Sequence, residues 1–332
     1  MTPFIGSEAD LIQGYLAPLA KGFPGAFGLR DDAALLTPPP GHDLVVTMDA
    51  VAAMTHFFPD DAPADIGWKA LAVNVSDLLA KGATPHAYLM SLAFQETPTH
   101  DWLAAFAAGL AQAQDAFGLA LVGGDTDRRP GPTAITITAI GTLPTGTMVR
   151  RATARPGHHI LVTGTLGDSA LGLKVRRGDA DARDWQLVEA NRRYLVGRYL
   201  RPQPPIAAVE LIRQHACCAM DISDGLLKDL GRMCQVSGIG AHIDVARLPL
   251  SRPAAQVLAA DPGALSSILA GGDDYEVLLT VPAETVPAII ADGAALGVGL
   301  TAIGICLPDG AVTCARPDGA LVTLDTLGYD HF

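Results

Sequence analysis

Cysteine, aromatic residues and charge are all scarce in this chain. Of 332 residues, 5 are cysteine, 5% are aromatic and 17% are charged. Cys217, Cys218, Cys234, Cys306 and Cys314 all lie in the last third, odd in number and without a C-x-x-C pair. That argues against a disulfide framework and suits a reducing compartment. Basic residues are outnumbered, 23 Lys and Arg against 35 Asp and Glu, for a net charge of −12. Such a balance argues against a nucleic-acid backbone or an anionic membrane as the main partner. Phosphates can still approach an acidic protein if metal cations stand between the two. No apolar run reaches the ~20 residues of a membrane helix. The longest weakly charged stretch, residues 293–308, is Gly-rich and reads as a helix end followed by a strand. The opening residues carry no basic segment with an apolar stretch behind it, so no export signal and a cytoplasmic location are expected.

Familiar catalytic signatures are also missing. There is no G-x-x-x-x-G-K-[ST], which excludes a P-loop nucleotide binder, and no H-R-D or D-F-G, which excludes a protein kinase. Neither H-E-x-x-H nor a Cys/His quartet offers a zinc site, and G-x-S-x-G is absent.

What is present is an apolar fraction of 49%, enough for a substantial core, in a length that suggests two domains. Residues 44–49 read as a buried strand with a polar tip, 65–80 as a helix apolar on most sides, and 89–94 as a strand. A helix at 101–117 leads to a strand at 119–122 that runs into Gly123-Gly124-Asp125. Residues 133–143 alternate Thr with Ala and Ile, the period of a half-buried strand. The stretch 144–157, with Pro144, Gly146, Arg150, Arg151, Arg155, Pro156 and Gly157, is the best domain joint, dividing the chain into 1–145 and 146–332. Beyond it come strands near 160–163, 218–222 and 275–281 and helices near 225–236 and 283–296. Strands and helices alternate throughout, so the class is α/β or α+β.

The acids divide into 29 Asp and 6 Glu. Coding bias and the use of Asp in turns and caps explain part of this; a site for a hard cation, which wants oxygen ligands, is the other reading. Placement favours the second. Asp31-Asp32, Thr47-Met48-Asp49, Gly124-Asp125-Thr126, Asp221-Ile222-Ser223-Asp224-Gly225 and Gly271-Gly272-Asp273-Asp274 recur beside apolar segments. Asn74 and Asp77 sit three apart, on one side of a greasy helix. A carboxylate there needs a partner, either a cation or Lys81 four residues on. Gly123-Gly124 allows close backbone approach to a ligand, and Arg150-Arg151 can pair with a phosphate. The residues alone point to an Asp-rich, Mg²⁺-dependent phosphate site without a P-loop, and they name no substrate.

Eight motifs in order then carry a resemblance. They are Asp31-Asp32-Ala33-Ala34-Leu35-Leu36, Lys69-Ala70-Leu71-Ala72-Val73-Asn74-Val75-Ser76-Asp77-Leu78, Gly123-Gly124-Asp125-Thr126 and Val162-Thr163-Gly164-Thr165-Leu166-Gly167-Asp168-Ser169. Leu200-Arg201-Pro202, Asp221-Ile222-Ser223-Asp224-Gly225-Leu226, Gly271-Gly272-Asp273-Asp274-Tyr275-Glu276 and Gly328-Tyr329-Asp330-His331-Phe332 complete the set. Across nearly the whole chain they resemble the thiamine-monophosphate kinase family, of the aminoimidazole ribonucleotide synthetase-like superfamily.

The resemblance implies a two-domain α/β (α+β) fold of that superfamily. An N-terminal domain, 1–145, would bind ATP and Mg²⁺ and pair in a homodimer; a C-terminal domain, 146–332, would complete the cleft. It implies ATP and thiamine monophosphate as partners and transfer of phosphate to give thiamine diphosphate, with no covalent nucleophile. The implied ligands of several Mg²⁺ ions are Asp32, Thr47, Met48, Asp49, Asp77, Asp125, Asp221 and Asp224. Gly124, Asp125, Arg151 and Ser223 would contact ATP, and His56, Asp273 and Thr326 the substrate. Four positions depart from the family pattern. Arg30 stands for a usual Gly, and Met48 replaces a hydroxyl residue and can offer a metal only its carbonyl. Asp273 stands where Glu is frequent, and Thr326 where an aromatic is common. Alternatives are another ATP-using member of the superfamily or a non-catalytic nucleotide-binding regulator. Selenophosphate synthetase would bring a reactive Cys near the N-terminus, and none precedes Cys217.

Overall fold

A computed structural model describes residues 4–324 and 327–329. The chain divides into two compact units, the second starting at Thr147 and also including Leu79–Gly82.

The first unit is built on four strands, β1 (His42–Ala52), β2 (Thr84–Phe94), β3 (Ala120–Arg128) and β4 (Ala134–Pro144), in the order β1-β4-β2-β3. β4 runs antiparallel to both β1 and β2, whereas β2 and β3 are parallel. Parallel neighbours need a crossover, and the His100–Phe117 helix supplies it. Thr99 caps that helix by accepting the Trp102 N–H, and left-handed Gly118 ends it. Leu103, Phe106, Leu110, Ala113 and Phe117 form its buried stripe. The Pro63–Ala80 helix is hidden nearly all round: between Ile66 and Ala80 only Asp77 is not buried. The two helices approach backbone to backbone, since a Cβ on Gly109 would lie 1.9 Å from the Ala64 carbonyl oxygen.

Two expectations are corrected here. The strand at 44–49 is the middle of β1, an edge strand rather than a buried one, and Leu44, Val46 and Met48 on its outward face are 41%, 61% and 64% exposed. Pairing with β4 carries it on to Ala52, so Thr47-Met48-Asp49 lies within the ladder and not at its tip. An apolar run cannot by itself distinguish a central strand from an edge with one greasy outer face. Likewise β3 does not stop at Gly123; its pairing with β2 continues to Arg128.

The second unit carries β5 (His159–Thr163), β6 (Cys218–Asp221), β7 (Gly240–Asp244), β8 (Val277–Val281), β9 (Leu300–Leu307) and β10 (Val312–Ala315). Their order is β10-β7-β9-β5-β8-β6, antiparallel except for the parallel pair of β7 with β10. Both faces are covered. Ile160, Val162, Met220 and Leu278 pack with Leu226, Leu230 and Met233 of the Leu226–Ser237 helix. Leu161, Ala219, Val277 and Leu279 pack on the other side with Leu211, Ile212 and Ile289. This alternation is the period-2 signature of strands buried on both faces.

Candidate functional site

In the first unit the Pro63–Ala80 helix reaches β1 through two polar side chains one turn apart. Asn74 Oδ1 accepts the Asp49 N–H at 2.8 Å, and Thr47 Oγ1 donates to Asp77 Oδ2 at 2.5 Å. Asn74 Nδ2 also donates to the Ala70 carbonyl at 3.1 Å, which fixes the amide orientation. Thr47, Asp49 and Asp77 are thereby brought together. Lys81, the alternative partner of Asp77, directs its ammonium to the Ala219 carbonyl at 2.7 Å.

Gly124 is required where it stands. Its φ is +154°, and a Cβ there would lie 1.8 Å from the Met90 carbonyl oxygen. Any side chain would push β3 off β2. Asp125 follows it, exposed and level with Ser91 of β2. The strand order separates β3 from β1 by three strand spacings, roughly 14 Å. Gly124 and Asp125 are therefore not gathered with the Thr47–Asp77 group by the sheet itself. Asp32 is exposed in a bend, its N–H donating to Asp31 Oδ1 at 2.8 Å.

His56 lies in the turn after β1. Its Nδ1 accepts the Ala52 N–H at 3.1 Å, so a neutral ring carries its proton on Nε2. The buried Lys69 donates to the His56 carbonyl at 3.0 Å and ties the turn to the helix.

In the second unit two loops lie side by side. The first begins at Asp221, buried at the end of β6, and runs to Gly225; the second covers residues 271–276. Asp273 N–H donates to the Ser223 carbonyl, Tyr275 N–H to that of Ile222, and Ile222 N–H to that of Glu276, each at 2.8 Å. Asp273 and Tyr275 adopt left-handed φ values of +69° and +51°. Each costs on the order of 1–3 kcal/mol, which the cross-loop hydrogen bonds offset. Asp221, Ser223, Asp224 and Asp273 are thus held in one place. Asp224 faces Arg232 at 2.5 Å and Lys228 at 3.7 Å. Asp229 is fully buried, and burial pushes its carboxyl up to about 6. Arg151 is exposed, and its carbonyl accepts a bond from Ser237 Oγ. Thr326 lies outside the described residues. Tyr329 N–H donates to the Asp224 carbonyl at 3.0 Å.

A buried group of acids went unassigned by sequence reasoning: Asp168, Asp274 and Glu276. Asp274 accepts the Gly167 N–H through both oxygens at 2.8 and 3.0 Å. Glu276 accepts from Thr163 Oγ1 at 2.7 Å and pairs with Arg198 at 2.9 Å. Thr165 and Tyr194 donate to Asp168 Oδ2. Burial pushes the Asp274 carboxyl well above the usual carboxylate range, and Glu276 is raised for the same reason. Asp168 and Asp274 are present in the quoted motifs, but nothing in their spacing says that they meet.

Among the described residues, no three His, Cys, Asp or Glu side chains converge closely enough to hold a metal ion. No helix among them is long and apolar enough to cross a membrane.

Residues 30–143 match the family described as AIR synthase related protein, N-terminal domain, and residues 155–314 match AIR synthase related protein, C-terminal domain. Fold and family matches therefore define a two-domain protein of the AIR synthase-related class. The chain is 41% identical over 306 residues to the thiamine-monophosphate kinase of Salmonella typhimurium, covering 92% of this chain and 91% of the relative. The crystal structure of thiamine-monophosphate kinase from Stenotrophomonas maltophilia K279a is similar at 38% identity and a TM-score of 0.79, over 89% of this chain and 91% of that one. AaThiL complexed with AMPPCP and TMP is similar at 30% identity and a TM-score of 0.77, over 93% and 97%. The chain belongs to the thiamine-monophosphate kinase family.

Proposed function

We propose that the chain transfers the γ-phosphoryl group of ATP to thiamine monophosphate, giving ADP and thiamine diphosphate. The observation that carries this reading is the 41% identity to a thiamine-monophosphate kinase across 92% of the chain. A relative complexed with AMPPCP and TMP supports the same pair of substrates.

Mg²⁺ fits the donor set. All the candidate ligands are oxygens: the carboxylates of Asp32, Asp49, Asp77, Asp125, Asp221 and Asp224, the hydroxyl of Thr47 and the carbonyl of Met48. β1 is an edge strand, so alternate carbonyls along it stay outside the ladder. Mg²⁺ is usually held by one or two carboxylates plus substrate phosphates and water, not by an all-protein cage. When bound, Mg²⁺ neutralises charge on the transferring phosphate.

The protein's own residues divide the remaining work. Gly124, Asp125, Arg151 and Ser223 contact ATP, while His56, Asp273 and Thr326 contact thiamine monophosphate. With Nδ1 accepting from Ala52, His56 has Nε2–H to offer as a donor, and the Asp273 carboxylate attracts the cationic thiazolium. The acceptor phosphate has a second pKa of about 6, so it is ionised at neutral pH and needs no strong general base. Direct in-line transfer with no covalent nucleophile follows. Residues 1–145 contribute the ATP and metal ligands of the first unit and residues 146–332 those of the second. The exposed apolar row Leu44, Val46 and Met48 supports pairing of two first units in a homodimer. The cysteine pattern supports a cytoplasmic location. ADP release measured with thiamine monophosphate and with a panel of other phosphate acceptors tests this reading. Release that is dependent on thiamine monophosphate is expected; equal release with every acceptor, or none, would overturn it.

A further inference from the structure

The Asp221–Gly225 loop is arranged differently from a phosphate-binding loop. A loop entering a helix ordinarily leaves backbone N–H groups unsatisfied, and such groups attract anions. Here Gly225 is the N-cap of the Leu226–Ser237 helix and has no side chain to satisfy them. Asp229, one turn into the helix, reaches back instead. Its Oδ2 accepts the N–H groups of Ser223, Asp224 and Gly225 at 3.0, 2.9 and 3.2 Å. Its Oδ1 accepts from Arg232 at 3.1 Å, and the residue is 0% exposed. On the other side, the loop carbonyls of Ile222 and Ser223 accept from Tyr275 and Asp273. One internal carboxylate thus consumes the donors that would bind phosphate directly. What the loop can still offer a ligand is oxygen: Asp221, Ser223 Oγ and Asp224.

We infer that Asp229 is a positioning residue that turns this helix-entry loop from an anion-binding nest into a cation-directed one. It does so by occupying the N–H groups of Ser223, Asp224 and Gly225, which leaves side-chain oxygens as the groups the loop can turn to a ligand. The inference rests on the reading of Asp221 and Asp224 as metal ligands. Within the chain Arg232 and Lys228 provide the counter-charge to Asp224. Asp229 touches neither substrate nor cation and acts through the loop alone.

The test is Mn²⁺ binding to the full chain, read by electron paramagnetic resonance in the presence of a non-hydrolysable ATP analogue. Wild type is compared with Asp229→Asn, which keeps the size but loses the charge and one acceptor oxygen, so that either the three loop N–H groups or Arg232 must face its NH₂ group. Mn²⁺ affinity is expected to fall at least tenfold in the variant, with kcat lowered and KM for thiamine monophosphate unchanged. Asp229→Glu is expected to recover part of the Mn²⁺ affinity. Wild-type binding with unchanged affinity in Asp229→Asn would overturn the inference. No nucleotide-dependent Mn²⁺ binding by wild type would instead overturn the metal reading beneath it. Should Asp229→Asn fail to fold, amide hydrogen exchange on the wild-type protein decides. Ser223, Asp224 and Gly225 are expected to exchange as slowly as the β6 core, and exchange at open-loop rates would refute the inference.

Discussion

Two carboxylates, Asp77 and Asp274, illustrate how differently single acids behave in this protein. Asp77 is the one residue between Ile66 and Ala80 that is not buried, and its partner is a hydroxyl rather than a cation. Asp77→Asn preserves an oxygen for Thr47 and removes the charge. With Asp221→Asn, it is expected to lower kcat by orders of magnitude while the thermal midpoint stays level or rises. Near-wild-type turnover in either variant at saturating Mg²⁺ would contradict the assignment. Asp274 is buried among other acids, and its carboxyl is raised. A raised acid holds its proton better in the folded state than in the unfolded one. Its contribution is therefore complete below the unfolded pKa and is lost as pH rises through the folded value. Asp274→Asn keeps an acceptor for Gly167 but cannot ionise. Calorimetry should show the variant gaining in midpoint over wild type on going from pH 5 to pH 8; a constant difference would refute it. The acids of the recurring motifs were legible in the sequence because they interrupt apolar segments. The meeting of Asp168 with Asp274 and Glu276 was not, because Asp168 lies about a hundred residues before the other two and only the packing of the Asp168–Arg177 helix against the 271–276 loop joins them.

Helices and strands were legible unequally. The Pro63–Ala80 and His100–Phe117 helices and the alternating strand β4 were legible from their apolar patterns. β1 and β3 were read too short, because their polar or glycine-rich halves are held by pairing with β4 and β2, and ladder partners leave no local trace. Gly124 marks the difference. In sequence it suggested room for a ligand; in the structure its first duty is to clear the Met90 carbonyl. Gly124→Ala should therefore destabilise the first unit by roughly 2–4 kcal/mol, through overpacking and backbone strain together. Urea denaturation measures this. A loss below about 0.5 kcal/mol would show that β3 can shift at little cost.

At the scale of the whole molecule, the apolar row on β1 is the feature that a monomer does not explain. Val46 is 61% exposed, so Val46→Lys costs a monomer no more than about 0.5 kcal/mol. In a homodimer built on that face it would bury an unpaired charge. Light scattering at micromolar concentration should give the mass of two chains for wild type and of one for Val46→Lys; a single-chain mass for wild type would contradict the assembly. The family was legible from eight ordered motifs, and the comparisons bear it out over 92% of the chain. The most direct test of the whole reading follows the phosphoryl group itself. Supplied with thiamine monophosphate and ATP labelled at the γ-phosphate, the protein should place the label in the terminal phosphate of thiamine diphosphate, one for each ADP formed. Label recovered as inorganic phosphate, with thiamine monophosphate unchanged, would contradict it.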